Sequence, residues 1–264
     1  TLKTKNTTFT TNSKALSLSE SSILEVEGVQ DLSGVTLPDN TVTLLLAADS
    51  TVKIDSFLTF GTLELADNTL TFEDGTGGWS FAQAVTLDDG DEQIVTGAGN
   101  LDLNGGINVT AGALSSTGGT LSLPSGAALV SGAAFSTSNT TIHLGGDLAV
   151  ADTWTSTNTS ILLTGNVSLS STEEMSLATL DTNGYELMLD SATSDLTITE
   201  GVTVNYGGFG GLNSGEADLT LDGAVNVLYG GIFSSGGTVT FGAGSSGASF
   251  SEENSGMMLE DTIL

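Results

Sequence analysis

Residues 99–123 read GNLDLNGGINVTAGALSSTGGTLSL. Apolar residues fall there in alternating pairs, Leu101-x-Leu103, Ile107-x-Val109 and Leu121-x-Leu123, parted by short glycine-rich stretches. The first pair recurs as Leu121-x-Leu123, Ile142-x-Leu144 and Ile161-x-Leu163, at steps of 20, 21 and 19 along the chain. A second pair follows at a fixed offset of six, as Ile107-x-Val109, Ala127-x-Leu129, Leu148-x-Val150 and Val167-x-Leu169. A third apolar position, at an offset of 12 to 14 from the first, is Leu114, Phe135, Trp154 and Met175. This period of three apolar stations constrains the fold more than any other feature of the chain.

Alternation within a station marks a strand with one buried face. The six-position offset between stations leaves room for a short strand and a tight corner. Gly105-Gly106, Asn166 and Gly223 sit at such corners, where glycine adopts positive φ without strain and asparagine tolerates it. Hairpins in a sandwich have no reason to keep one fixed period with constant internal offsets. A solenoid does, because each coil stacks on the next and one core runs down the axis. The sequence therefore predicts an all-β chain, a parallel β-solenoid of the right-handed β-helix type, with about 20 residues and three short strands per coil. About eleven coils at roughly 4.8 Å each give a rod on the order of 50 Å long.

The period is less regular elsewhere. Toward the N-terminus the pairs Leu16-x-Leu18, Leu44-x-Leu46, Leu63-x-Leu65 and Val85-x-Leu87 can be placed. Beyond Leu163 the marker continues as Leu187-x-Leu189, Leu219-x-Leu221 and Val239-x-Phe241, with steps of 26, 32 and 20. In this frame Val225-x-Val227 is a second station and Ile232 a third. The long steps mean either loops inserted near residues 170–174 and 206–216 or a coil out of phase. The chain is read as one domain, 1–264, with an irregular N-terminal coil or cap over 1–40 and a C-terminal tail or contact segment over 251–264. It starts on Thr1 and stops at LEDTIL, which suggests a mature product or a fragment.

Composition limits function. Against 32 acidic residues stand 4 lysines and no arginine, for a formal charge of −28. Neutralising nucleic-acid phosphates takes cationic side chains, so nucleic-acid binding is not expected. Anionic lipid surfaces are disfavoured for the same reason. No apolar run approaches the ~20 residues of a membrane helix, so membrane insertion is not expected. There is no cysteine, hence no disulfide and no thiolate chemistry.

Few residues carry candidate chemistry. The lone His143 alternates with Ile142 and Leu144 and so faces outward, as an ordinary strand residue. Asp88, Asp89, Asp91 and Glu92 surround Gly90 in LDDGDEQ. Carboxylates clustered on a glycine turn suit Ca²⁺, although the loop lacks the later glutamate of an EF-hand. β-Helical lyases need cations to hold acidic sugars, and three of the four lysines (Lys3, Lys5 and Lys14) crowd the N-terminus, leaving Lys53. A paired-carboxylate glycosidase stays an alternative without an assignable pair, so no catalytic residue is named. Threonine-rich stretches such as residues 153–160, TWTSTNTS, invite an ice-binding reading, but matching threonines recur in only two or three coils. Phe135, Trp154 and Phe233 sit at or beside the third station, as a core stack. The basic head against an otherwise acidic chain suggests copies stacking end to end.

The stretches LDLNGGINVTAGALSSTGGTLSL and LTLDGAVNVLYGGIFSSGGTVTF resemble coils of the β-helical passengers of bacterial secreted adhesins, of the autotransporter and filamentous-haemagglutinin type. The resemblance spans about residues 40–250 and lies in coil chemistry, so it transfers no functional residue. It implies surface display or secretion and an adhesive or stalk role toward a host or surface glycan or protein. The sequence thus leads to a non-enzymatic, extracellular or cell-surface structural or adhesive element. Its alternatives are a carbohydrate-active enzyme or glycan-binding module, and an ice-binding protein.

Overall fold

The computed structural model describes residues 1–5, 16–33, 35–37, 40–73, 77–129, 133–151, 154–190, 195–205, 211–242, 248–250 and 255–259. Among them there is no helix, and every strand pair is parallel. The strands stack as a β-solenoid of about 10 turns, about 21 residues apart. Three ladders run along it, one for each station.

On the first face Leu58, Trp79, Leu101, Leu121, Ile142 and Ile161 lie in register, each one coil beyond the last. On the second face Val85, Ile107, Ala127, Leu148 and Leu169 do the same. On the third face the row is Ser50, Leu70, Ile94, Leu114, Phe135 and Trp154. These side chains point inward and build one continuous core. Burying a Leu, Ile or Val contributes about 1.5–3 kcal/mol each, so the stacked interior is the main source of cohesion. Aromatic rings stack within it: Phe60 on Trp79 at 5.9 Å and Phe135 on Trp154 at 5.0 Å.

The long steps after Leu163 are a phase error: the marker pairs beyond it belong to different faces. Leu180, Val202, Val225 and Ala248 continue the first face after Ile161, each one coil beyond the last. Leu187 belongs to the second face, paired with Val167, and Leu219 and Val239 to the third, in register with Leu196. Ile232, expected at a third station, lies on the second face beside Leu212. The cause is local. Met175–Asp181 and Leu196–Asn205 each run from third face to first without a break, and Ala224–Ser234 runs from first to second. Register shifts mark their corners, at 177/179 and 204/205, and the strand runs on through the bend. Of the expected loop segments, 170–171 end the strand Val167–Ser171 and 211–213 form the strand Gly211–Asn213; 206–210 lie outside the described residues. The early pairs also divide among faces: Leu44 is in register with Leu24 and Leu63, Val85 with Ile107, and Leu16 with Val35.

Ladder strands reach into both end regions. Leu2–Lys5 pairs with Ile23–Asp31, and Ser255–Leu259 pairs with Ala224–Ser234.

The corners use three devices. Gly106 takes positive φ, 83°, as expected. Gly223 does not; a Cβ there would run into the backbone of Glu200 one coil below, so close stacking is what demands glycine. Asn166 acts through its side chain: Oδ1 accepts at 3.0 Å from the Glu186 amide, one coil on. Asp49, Asn100, Asp147 and Asp218 repeat this staple, accepting from the amides of Thr69, Thr120, Ser168 and Thr238. Each joins a corner to an amide at or beside the start of a strand in the next coil.

Not all of the interior is apolar. Thr96, Ser116, Thr137, Thr140 and Thr159 are buried near the corner between third and first faces. Thr140 Oγ1 accepts from the Gly118 amide at 3.2 Å and can donate to Ser116 O, Ser116 Oγ or Ser138 O at 3.1–3.2 Å. Thr137 and Thr159 share a 2.9 Å bond, and Trp154 Nε1 donates to Thr137 Oγ1 at 2.9 Å. These hydroxyls satisfy backbone groups that the turning chain would otherwise leave buried and unpaired.

Candidate functional site

The Asp88–Glu92 loop joins the second face to the third. Glu92, 6% exposed, folds back so that Oε2 accepts from the amides of Asp88 at 2.8 Å and Asp89 at 3.4 Å. Asp89 Oδ1 accepts from the Asp91 amide at 3.0 Å. Two of the four carboxylates are thus engaged by the loop's own backbone, while Asp88 and Asp91 are exposed. Among the described residues no group of three or more His, Cys, Asp or Glu side chains is arranged to hold a metal ion. The bonding makes this loop a self-capped turn.

His143 stands on the outer side of the first face, half-buried between Ser122 and Leu162. Phe135 and Trp154 are in the core stack, as expected. Phe233 is not: it lies in the outward row of the second face, in register with Asn213. Lys3 is held by Glu25 in an ion pair of 2.7 Å, so one cation of the basic head is matched within its own chain. Lys14 lies outside the described residues.

The outward row of the third face is more regular than the sequence suggested. Thr51, Thr71, Val95, Ser115, Ser136 and Thr155 are in register over six consecutive coils. Ser176, Thr197, Thr220 and Thr240 form a matching row further along. Neither row carries a charge. Ser136 Oγ donates to Ser115 Oγ at 3.0 Å. Thr153, counted within the threonine-rich stretch, lies outside the described residues.

One break interrupts the first face. Val35–Thr36 pairs with Leu16–Ser17, and Leu58–Phe60 pairs with Gly78–Phe81, but the two pairs do not join. Between them is a cleft of about 500 Å³ lined by Val35, Thr36, Leu37, Ser56, Phe57 and Thr59, among others. The coils stay joined on the other side, where Thr43–Lys53 pairs with Thr62–Glu64 and Thr69–Phe72. They also meet at the corner, where the Gly61 amide donates to Val42 O at 2.8 Å. The opening is therefore a wedge in one face. Phe57, 53% exposed, stands at its lip. Sequence reasoning missed the cleft because the residues lining it have ordinary strand and turn chemistry; only the missing pairing reveals it.

Comparison of the chain with protein-family models, curated proteins and solved structures found no match.

Proposed function

We propose that this chain is a non-enzymatic, extracellular or cell-surface element, a stalk or fibre segment of the adhesin-passenger kind. The observation behind the reading is the parallel ladder itself, about 10 turns long, with short and mostly uncharged outward rows. Such a build suits spacing and display along an axis. End-to-end stacking belongs to the proposal: among the described residues Leu2–Lys5 has a strand on one side only, a ready template for another edge. The scarcity of cations, 4 lysines in 264 residues, argues against lyase chemistry on acidic sugars.

Electron microscopy with size-exclusion chromatography tests the reading. Rods about 50 Å long, or end-to-end multiples of them, are expected. A compact particle that neither elongates nor associates at any salt concentration refutes it. Hydrolysis of a neutral glycan by the purified chain would replace it with the enzymatic alternative.

One observation favours a second reading. The in-register row on the third face, with hydroxyls at five of its six positions and a repeat of about 4.8 Å, is an uncharged array of the sort that can order water. Inhibition of ice recrystallisation that Thr71→Lys and Thr155→Lys abolish would support ice binding, and no inhibition by the unaltered chain would end that reading.

A further inference from the structure

We propose that the cleft on the first face receives an extended strand from another polypeptide, which completes the interrupted ladder.

In a parallel ladder each residue turns its N–H and C=O to one neighbour, and the next residue turns them to the other. Phe60 O accepts from the Ala82 amide at 3.0 Å, on the side away from the cleft. Thr59, one residue before, therefore turns its N–H and C=O into the cleft. Thr36 O accepts from the Leu18 amide at 3.4 Å, also away from the cleft. Leu37 and the Val35 carbonyl accordingly face inward from the opposite wall. Two free strand edges thus look at each other across the gap, and each can bond one side of the same inserted strand.

The walls define what the strand must carry. Val35 and Leu58 are 4% and 5% exposed, and Leu58 is in register with Trp79, so the core continues beneath the cleft. A strand laid between the two walls would direct one apolar side chain down onto this core. Its neighbours would stand outward beside Thr36 and Thr59. Phe57 at the lip offers an aromatic face to a second apolar residue. Thr36, Ser56, Phe57 and Thr59 bring no charge to the opening, and the chain as a whole is at −28. The occupant is therefore an uncharged or cationic segment, apolar at alternate positions, much like the rungs above and below it. This inference does not rest on the stalk reading: a compact monomer could capture a strand, and a rod could fail to.

The test uses the full chain and a labelled synthetic peptide, SFLTFGT, copying residues 56–62. Fluorescence anisotropy reads binding, and amide hydrogen exchange locates it. Saturable binding is expected, with new protection at Leu37 and Thr59 and none with a scrambled peptide. Thr59→Pro removes a donor facing the cleft and should weaken binding at least tenfold while the thermal melt stays close to that of the parent. If that variant does not fold, exchange on the unaltered chain still decides. The proposal is overturned if the peptide does not bind at millimolar concentration, or if protection appears instead at the terminal edges Leu2–Lys5 or Ser255–Leu259. It is equally overturned if the Thr59 amide is already protected without peptide, since the ladder would then be closed in solution. Protection of the cleft by neutral oligosaccharides but not by the peptide would mark a glycan site and refute strand capture.

Discussion

Thr140→Val separates two accounts of what holds a coil corner. Valine has nearly the shape of threonine and is more apolar, and position 140 is 1% exposed. If burial of apolar surface alone mattered, the substitution would be neutral or stabilising. The structure argues otherwise, because Thr140 Oγ1 accepts from the Gly118 amide one coil earlier and donates within the same corner. Removing it strands a buried N–H and a buried acceptor. A buried group left without a partner costs about 1–3 kcal/mol, and two are left here, against about 0.8 kcal/mol gained from the extra methyl. The expected net loss is at least about 1–2 kcal/mol. Unfolding of a stacked chain need not be two-state, so the first assay is local. The Gly118 amide should exchange with solvent roughly 5- to 30-fold faster in the variant, and fluorescence of Trp154, which is tied to the same hydroxyl cluster through Thr137, should report an earlier thermal transition. An equally stable variant with unchanged Gly118 exchange would refute the argument that hydroxyls splice the coils.

Three further outcomes follow from the geometry. Gly223→Ala should destabilise the coil by about 1–3 kcal/mol, since overpacking against rigid backbone cannot relax, and circular dichroism melts would show it. Glu92→Ala should lower loop stability by about 1.5–3 kcal/mol by releasing the amides of Asp88 and Asp89; melting temperatures of the parent chain with calcium near 1 mM and with a chelator should agree, and a calcium-dependent rise in the parent that Glu92→Ala removes would show that the loop binds the ion. The Ser33 hydroxyl and amide, and then the Lys53 charge, hold the Asp31 carboxyl below the ordinary carboxylate range. Its stabilising contribution is therefore present above the unfolded value near 3.9 and is lost as pH falls through the lower folded value, so Asp31→Asn should flatten the acid limb of the stability profile.

The period was legible between Leu101 and Met175 because two independent signals agree there: alternation marks the strands and glycine marks the corners. Past that point one signal fails. Leu187-x-Leu189 and Leu219-x-Leu221 alternate just as a first station does, and the Gly223 that follows the second pair does not say which two faces its corner joins, so nothing in the pattern tells which face each pair serves. The long strands Met175–Asp181 and Leu196–Asn205 absorb the corner into a register shift, which leaves no mark in the sequence. Thr137, Thr140 and Thr159 were open to misreading for a related reason. Polar residues between stations look like solvent-facing turns, whereas at this corner the chain bends inside the molecule and their hydroxyls replace water. The self-capping of Glu92 was hidden because clustered carboxylates look alike whether they face an ion or their own amides. The cleft left no trace at all, being an absence of pairing between two ordinary strands.

The direction of the ladder has a mechanical consequence. Strands lie across the long axis, so their hydrogen bonds point along it. A pull applied at the two ends loads those bonds lengthwise and opens them in succession from the last coil, as a zipper opens, instead of shearing a whole sheet at once. Each coil that peels away releases about 21 residues, roughly 70 Å of extended chain, where the stacked coil occupied about 4.8 Å. Under load the molecule gives by paying out length at low force, and the next intact coil remains as the template on which the released chain rewinds.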